Sequence, residues 1–525
     1  MPLARLVLLL LVVRAGTALA SDAVPVAVGD VTGTSARLHV WAAGPGPVSV
    51  TVVPDGAGAS TRSLQPDAEL IARTTLRGLV PGRRHRYRVE SEGHLVTGEF
   101  VTPPPPGDPA PVRLVWSGDL GARGHCGARR YGVFDAMRRQ RPDLFLFVGD
   151  TVYADHPCRA LPGAAAAATT FEEFAARHRR NLADPAVQAF LRRTSVTAIW
   201  DDHEVRGNFA GSRQPLMPVG RAAFLASWPV ATPPGDPTRL YRSRRWGGLL
   251  EIFVLDTRQY RSSNWAPDGP DKTMLGAAQR RWLVDAVTAS TAVWKVVVSS
   301  VPLSLPKGWP VSDSWAPRNV LGYRTGFARE RDAILALLQA AGVQNLVVLA
   351  ADVHFATAVA HTPAPGFRVW ELVAGPIAAG TKDPWCPAPG LNSTVLFAHG
   401  GEATFGEVQV YAHGLDVRLF AGDGRLLWRR WLPAARRSGN DRQDTEPCGV
   451  RSGWGATACR RGATVSDPIT PSNRPRQSRL AGARARSQVR MLRDMRGPGD
   501  GAPRQRHLGP HRVSLRRPRS RWHRA

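Results

Sequence analysis

The chain has no later apolar run of the length a bilayer demands, about 18 residues, so no segment reads as a membrane-spanning helix. Cysteine is scarce, five in 525 residues, and no two form a Cys-x-x-Cys pair, which removes the zinc-ribbon class. Cys126 and Cys158 lie near two strand ends and could pair in an oxidising compartment; Cys126 reads as a loop disulfide or free thiol before a metal ligand. Cys386 falls in a Pro-rich loop, and Cys448 and Cys459 fall near the C-terminus. Lysine is missing altogether from residues 436–525, where 22 arginines face six acidic residues. That stretch also lacks any hydrophobic period. It reads as GC-rich DNA translated out of frame or as an unselected extension, ahead of a disordered solvated tail or an arm for nucleic acid or a membrane surface.

The net charge of +27 is therefore misleading, because +16 of it sits in those 90 residues and +11 in the remaining 435. A moderately basic body suits an anionic substrate through long-range steering, and nucleic acid is not the expected partner. At the other end, Arg5 precedes the apolar stretch Leu6 to Val13 and a small-residue end at Ala18-Leu19-Ala20. This reads as an export signal over 1–20, with no adjacent arginine pair before it, and predicts a periplasmic or secreted protein.

Between these ends two textures alternate. Residues 21–103 carry short alternating segments such as Ala36 to Trp41 and Val48 to Val53, split by Gly, Pro and Ser, as in a small β-sandwich. Pro103 to Pro106 form a stiff connector. From 111 to 432, strand-like runs alternate with helix-like spacing over Tyr131–Gln140, Phe171–Phe190, Gln279–Val287 and Ala328–Ala341, which predicts layered α/β architecture. Leu250–Leu255 and Trp294–Val298 are further buried strands, and Phe405 to Trp431 reads as a closing antiparallel meander.

The informative feature is how four apolar runs stop. They end at Gly118-Asp119, at Gly149-Asp150 with Tyr153 three residues on, at Asp201-Asp202-His203, and at Asp352-Val353-His354. Open α/β sheets put their chemistry at such carboxyl ends. Carboxylate oxygen suits hard cations, and imidazole broadens the choice. Singly, each residue reads more readily as a turn, a cap or part of a structural network than as part of a site. Four together predict one edge of one sheet holding more than one cation.

Two neighbouring cations can clamp a phosphate and ionise a water for in-line attack. Asp150 is the candidate bridge between them. Asp119 and Tyr153 would hold one ion, a phenolate favouring a trivalent one such as Fe(III). Asp202 and Asp352 would complete the ligands, and His354, two residues beyond Asp352 on an extended segment, would join them. His203 is placed to act as general acid on a leaving group. Arg258 is a further catalytic candidate, although it and Arg261 also read as surface charge or as partners of Asp256. Asp256 ends another strand and reads as structural.

Together these motifs resemble the PhoD-like alkaline phosphatase/phosphodiesterase family, a branch of the calcineurin-like metallophosphatases. The likeness runs through Trp116-Ser117-Gly118-Asp119-Leu120, Gly149 to Asp155, Trp200 to Val205, Leu255 to Arg261, Met274-Leu275-Gly276 with Gln279 and Trp282, Ala351 to His354, and Glu371 to Ile377, and covers roughly residues 24–432. It implies a four-layer αββα metallophosphatase core behind a fibronectin-III-like β-sandwich. It further implies hydrolysis of phosphate monoesters or diesters by metal-hydroxide attack, with Ca and Fe(III) as metals and Mg, Mn or Zn as substitutes. Asp119 stands where many relatives carry a metal-binding Cys, Ala351 replaces a usual Gly, and Val298-Ser299-Ser300-Val301-Pro302 lacks the wider superfamily's middle histidine. The competing class is an exported, non-catalytic binding protein on a degenerate phosphatase fold. Monoester, nucleotide, phospholipid and teichoic-acid substrates stay open, as do metal stoichiometry and oligomeric state. The loops 159–195, 207–245 and 303–326 would decide the substrate.

Overall fold

The apolar runs become strands in a computed structural model, which describes residues 24–54, 58–121, 131–158, 166–320 and 322–435. The segment expected to be an export signal, Cys126 and the arginine-rich stretch with Cys448 and Cys459 lie outside these residues. Two sheets dominate, one of nine strands and one of seven. The first contains three neighbouring parallel strands, β1 (Val112–Ser117), β2 (Leu144–Val148) and β3 (Ser195–Ile199). The second contains four, β4 (Leu250–Val254), β5 (Trp294–Val298), β6 (Leu346–Ala350) and β7 (Phe367–Val373).

The strands are largely buried because both faces are covered, and β2 and β6 read as unbroken apolar runs. Side chains alternate along a strand. Ile252, Val298 and Leu349 thus join Leu114, Phe147 and Ile199 of the first sheet in one core. Phe253, Val297 and Val348 point the other way. They form a second core with Leu283 and Val287 of the helix Gly276–Ala289 and with Ile334 and Leu338 of the helix Ala328–Ala340.

The helix-like stretch Phe171–Phe190 is two helices, Phe171–Leu182 and Pro185–Leu191. The break is local chemistry. Asp184 caps the second helix, its Oδ1 accepting from Ala186 N at 2.8 Å and Val187 N at 3.1 Å, and Pro185 opens that helix because its missing N–H costs nothing there. The closing meander, Thr404–Tyr411, Gly414–Ala421 and Leu426–Pro433, is antiparallel as expected and extends the nine-stranded sheet from β1.

The first β-rich segment does not stand apart. Four of its strands form a sheet of their own, but Val26–Gly29, Ser35–Trp41 and Ile71–Arg77 continue the nine-stranded sheet beyond β3. The join is a short parallel bridge, with Asp30 N donating to Val196 O at 3.1 Å. It is locked by a buried charge cluster: Asp30 accepts from Arg242 Nε at 2.6 Å and pairs with Arg244 Nη2 at 2.9 Å. No helix among the described residues is long and apolar enough to cross a membrane.

Candidate metal centre

Asp119, Asp150 and Asp202 each follow the carboxyl end of β1, β2 or β3. Asp352 and His354 follow β6, which belongs to the other sheet. The expectation of a single sheet edge is thus corrected: two sheets packed face to face turn their carboxyl edges toward one pocket. The two edges are stitched directly, since Asp352 N donates to Asp119 Oδ1 at 3.2 Å. Ile377 N, after β7, also donates to Gly118 O, after β1, at 2.9 Å.

Ligand atoms of Asp119, Asp150 and His354 lie within 4.8 Å of one another, as do those of Asp150, Asp202 and His203 and those of Asp201, Asp202 and Asp352. Tyr153 Oη lies 3.2 Å from His354 Nε2. All six residues named as metal ligands from the sequence are therefore gathered in one place, with Asp150 common to two of the groups. The segment carrying His354 is bent, not extended. Asp352 and His354 have φ of 72° and 64°, and Asp119 and Asp150 have 62° and 50°. Four left-handed non-glycine residues at one pocket, each costing on the order of 1–3 kcal/mol, are a sign of a functional site. Gly149 and Gly375 share the crowding. A Cβ on Gly149 would meet Asp201 Cβ at 2.6 Å, and one on Gly375 would meet Asp119 Oδ2 at 2.5 Å. Ala351 is not among the positive-φ residues, so its methyl group is accommodated.

Asp119 Oδ2, Asp150 Oδ2, Asp202 Oδ1 and Asp352 Oδ2 are buried and accept no hydrogen bond, although Asp202 Oδ1 lies 3.5 Å from Arg258 Nη2 and the other oxygen of Asp352 pairs with Lys307. Burial and the neighbouring Asp201 charge push Asp119 up to about 7, and burial with Asp202 raises Asp150. Buried carboxylates such as Asp119 and Asp150, which have no lysine or arginine partner among the described residues, are unstable unless protonated or bound to a cation. The donor set fits a hard metal on this ground. His354 Nδ1 faces Gly380 O, and burial, with Lys382, drives the ring down to about 3, leaving a neutral imidazole, which is the metal-binding form.

His203 is held differently. Its Nδ1 lies 2.8 Å and 2.9 Å from the two oxygens of Asp155, and its ring stacks on Tyr153 with centroids 4.2 Å apart. Its Nε2 faces Asp150 Oδ2 and Asp202 Oδ2, each at 4.0 Å. Burial disfavours the charged ring, but Asp202 and the bond to Asp155 outweigh it and push the ring up to about 9, so Nε2 carries a proton at neutral pH.

Arg258 is neither on the surface nor paired through its side chain with Asp256. It is fully buried behind the pocket. Its Nε and Nη2 reach Asp201 at 2.5 Å and 3.0 Å, its Nη1 reaches Asp313 at 3.2 Å, and Asp202 is 3.5 Å away. Ser300 donates from Oγ to Asp201 Oδ1 at 2.6 Å. Asp256 is structural, accepting from Trp200 Nε1 at 2.9 Å and Gln259 N at 3.0 Å.

Three participants were not singled out from the sequence: Asp155, Asp313 and Lys307. Lys307 Nζ lies 2.5 Å from Asp352 Oδ1, 3.4 Å from Asp313 Oδ2 and 3.6 Å from Asp202 Oδ2. Asp155 carried a signal, five residues after Asp150 in the same motif. Lys307 sits in an aperiodic loop and carried none. Elsewhere, Cys158 and Cys386 are each disulfide-bonded.

A family model described as PhoD-like phosphatase matches residues 121–393. Alkaline phosphatase D of Bacillus subtilis is 27% identical over 312 residues, which cover 53% of this chain and 52% of that protein. The chain thus matches about half the length of this curated relative. A solved structure titled "Structure of PhoD" superposes with a TM-score of 0.63 at 21% identity, covering 79% of this chain and 92% of the other. That likeness is one of fold: a mixed, sheet-rich α/β architecture.

Proposed function

Because the chain belongs to the PhoD-like phosphatase family, we propose that it is a metal-dependent phosphoesterase acting on phosphate monoesters, diesters or both. The observation that carries this is the ring of buried carboxylates where the two sheet edges meet, closed on one side by His203, whose Nε2 faces Asp150 and Asp202 at 4.0 Å. Asp119, Asp150, Tyr153 and His354 would hold one cation, and Asp150, Asp202 and Asp352 another, with Ca and Fe(III) the leading identities. When bound, such cations supply Lewis acidity and lower the pKa of a water.

His203 acts as the general acid. A hydroxide, left when a water gives up its proton to bulk solvent, bonds to phosphorus as the bond to the leaving oxygen breaks, and Nε2 passes its proton to that leaving oxygen, so the ring is recharged from solvent after turnover. Asp155 fixes the ring so that Nε2, not Nδ1, meets the substrate. Arg258, buried away from the substrate, is a positioning residue. It holds Asp201 and Asp202 in place and offsets their charge. The fold is read as a four-layer αββα core over 111–432 with a fibronectin-III-like sandwich over 21–103, and the protein as exported through the leader at 1–20. The 436–525 stretch takes no part.

The test is hydrolysis of a chromogenic monoester and diester by metal-loaded protein, before and after exhaustive chelation. Activity that vanishes on chelation and returns with Ca and Fe supports the reading. Activity indifferent to chelation sinks the metal dependence. No hydrolysis of any phosphoester by loaded protein returns the chain to the class of non-catalytic binding proteins.

A further inference from the structure

The cation-binding pocket is already partly filled by the chain itself. The sequence holds 69 basic residues, yet only four are lysines, and Lys307 is the one that enters this site. Its side chain is 12% exposed, and its Nζ touches or approaches three carboxylates, those of Asp352, Asp313 and Asp202. Two of these, Asp202 and Asp352, belong with Asp201 to one of the groups able to hold a metal ion. The other side of the centre has no such tenant. Among the described residues the ion pairs of Asp119 and Asp150 are with His354 and His203 alone, at 4.0 Å.

The lysine is delivered by a built loop. Asp313 N donates to Lys307 O at 3.0 Å, and Lys307 N donates to Ser314 Oγ at 3.3 Å. Gly308 follows with φ of 89°, and a Cβ there would meet Val311 O at 2.5 Å, so the tight turn requires glycine. The backbone is thus fixed, while the ammonium rides on a flexible four-carbon stem. A second acceptor stands ready, since Nζ also donates to Asn208 Oδ1 at 3.1 Å. An ammonium is a compact point charge and substitutes for a bound cation better than a planar guanidinium does.

We propose that Lys307 holds the place of one cation on the Asp202–Asp352 side of the centre. A metal ion entering there must displace the ammonium, while the Asp119–Asp150–His354 side takes its ion uncontested. The two sides therefore differ in affinity by construction, and the second ion is the weak, exchangeable one. This rests on the metal-centre reading above.

The experiment is calorimetric titration of metal-stripped full-length protein with Ca²⁺, and separately with Mn²⁺, for the wild type, Lys307→Met and Lys307→Gln. The wild type shows a tight site and a weak one. Both variants tighten the weak site about ten-fold or more and leave the tight site unchanged. Stripped Lys307→Met, in which Asp202 and Asp313 keep Arg258 but Asp352 loses the basic side chain paired with it, melts below the wild type, and Ca²⁺ raises its melting temperature by more. Should a variant fold only with Ca²⁺ present, that dependence is itself the predicted substitution. A weak site unchanged or further weakened in both variants overturns the proposal and leaves the metal reading intact. An absence of binding in all three proteins sinks both.

Discussion

The role assigned to His203 makes a prediction that separates chemistry from architecture. A general acid contributes roughly 10²–10⁴-fold in rate, which is about 2.7–5.4 kcal/mol of barrier. That contribution is needed only when the leaving oxygen is a poor leaving group. His203→Asn keeps a polar side chain of similar reach beside Asp155 but has no proton to give. On an alkyl phosphate ester, kcat is expected to fall by about 10²-fold or more. On a p-nitrophenyl ester, whose phenolate leaves unaided, the loss is expected to stay below about ten-fold. Asp155→Asn should show the same pattern at smaller amplitude. The ring remains, but the carboxylate 2.8 Å from Nδ1 that orients it and favours its charged form is gone. Steady-state kinetics on the two esters, with metal content measured on each preparation, decides the matter. Equal losses on both esters at unchanged metal content would refute proton donation and leave His203 a structural or phosphate-binding residue.

Two further outcomes concern stability. Asp30→Ala strands Arg242, which is buried, and Arg244 next to the bridge between Val26–Gly29 and β3. Breaking one partner out of a buried pair costs about 3–5 kcal/mol, to be read from urea unfolding, and a loss under about 1 kcal/mol would show that the cluster is dispensable. Burial pushes His39 and His178 down to about 3, with Arg73 adding to the effect at His39. Their native rings stay neutral where the unfolded rings, near 6.5, gain protons. Stability from this source is full above pH 6.5 and declines as pH falls toward 3, by at most about 1.4 kcal/mol per pH unit for each ring. Replacing His178, whose ring nitrogens have no hydrogen-bond partner, with Leu should flatten that decline; an unchanged pH slope would contradict the assignment.

Much of the site was legible because a buried parallel strand leaves a plain trace. Leu144 to Val148 is apolar on both faces, and the first carboxylate after it, Asp150, has to sit at the sheet's carboxyl edge. The same logic found Asp119, Asp202 and Asp352. What it could not yield was which sheet each strand joined, since β3 and β6 look alike in sequence and lie in different sheets. Nor could it yield the left-handed backbone at four of the site residues, which tertiary contacts impose. Arg258 was noticed but misplaced between surface and site, because its burial depends on Asp201 and Asp313, 57 and 55 residues away. Lys307 was invisible for the same reason. The helix break at Asp184-Pro185 was a different kind of miss, since a cap followed by proline is a written signal that the apolar spacing overrode.

The account stands on the convergence of these carboxylates to hold metal. Elemental analysis of purified full-length protein beside Asp150→Ala, with circular dichroism to check the fold, measures it most directly. Stoichiometric metal is expected in the wild type, and its loss in the variant while the spectrum is retained. Metal at background in the wild type, or an unchanged metal content without the carboxylate shared by two of the ligand groups, would contradict it.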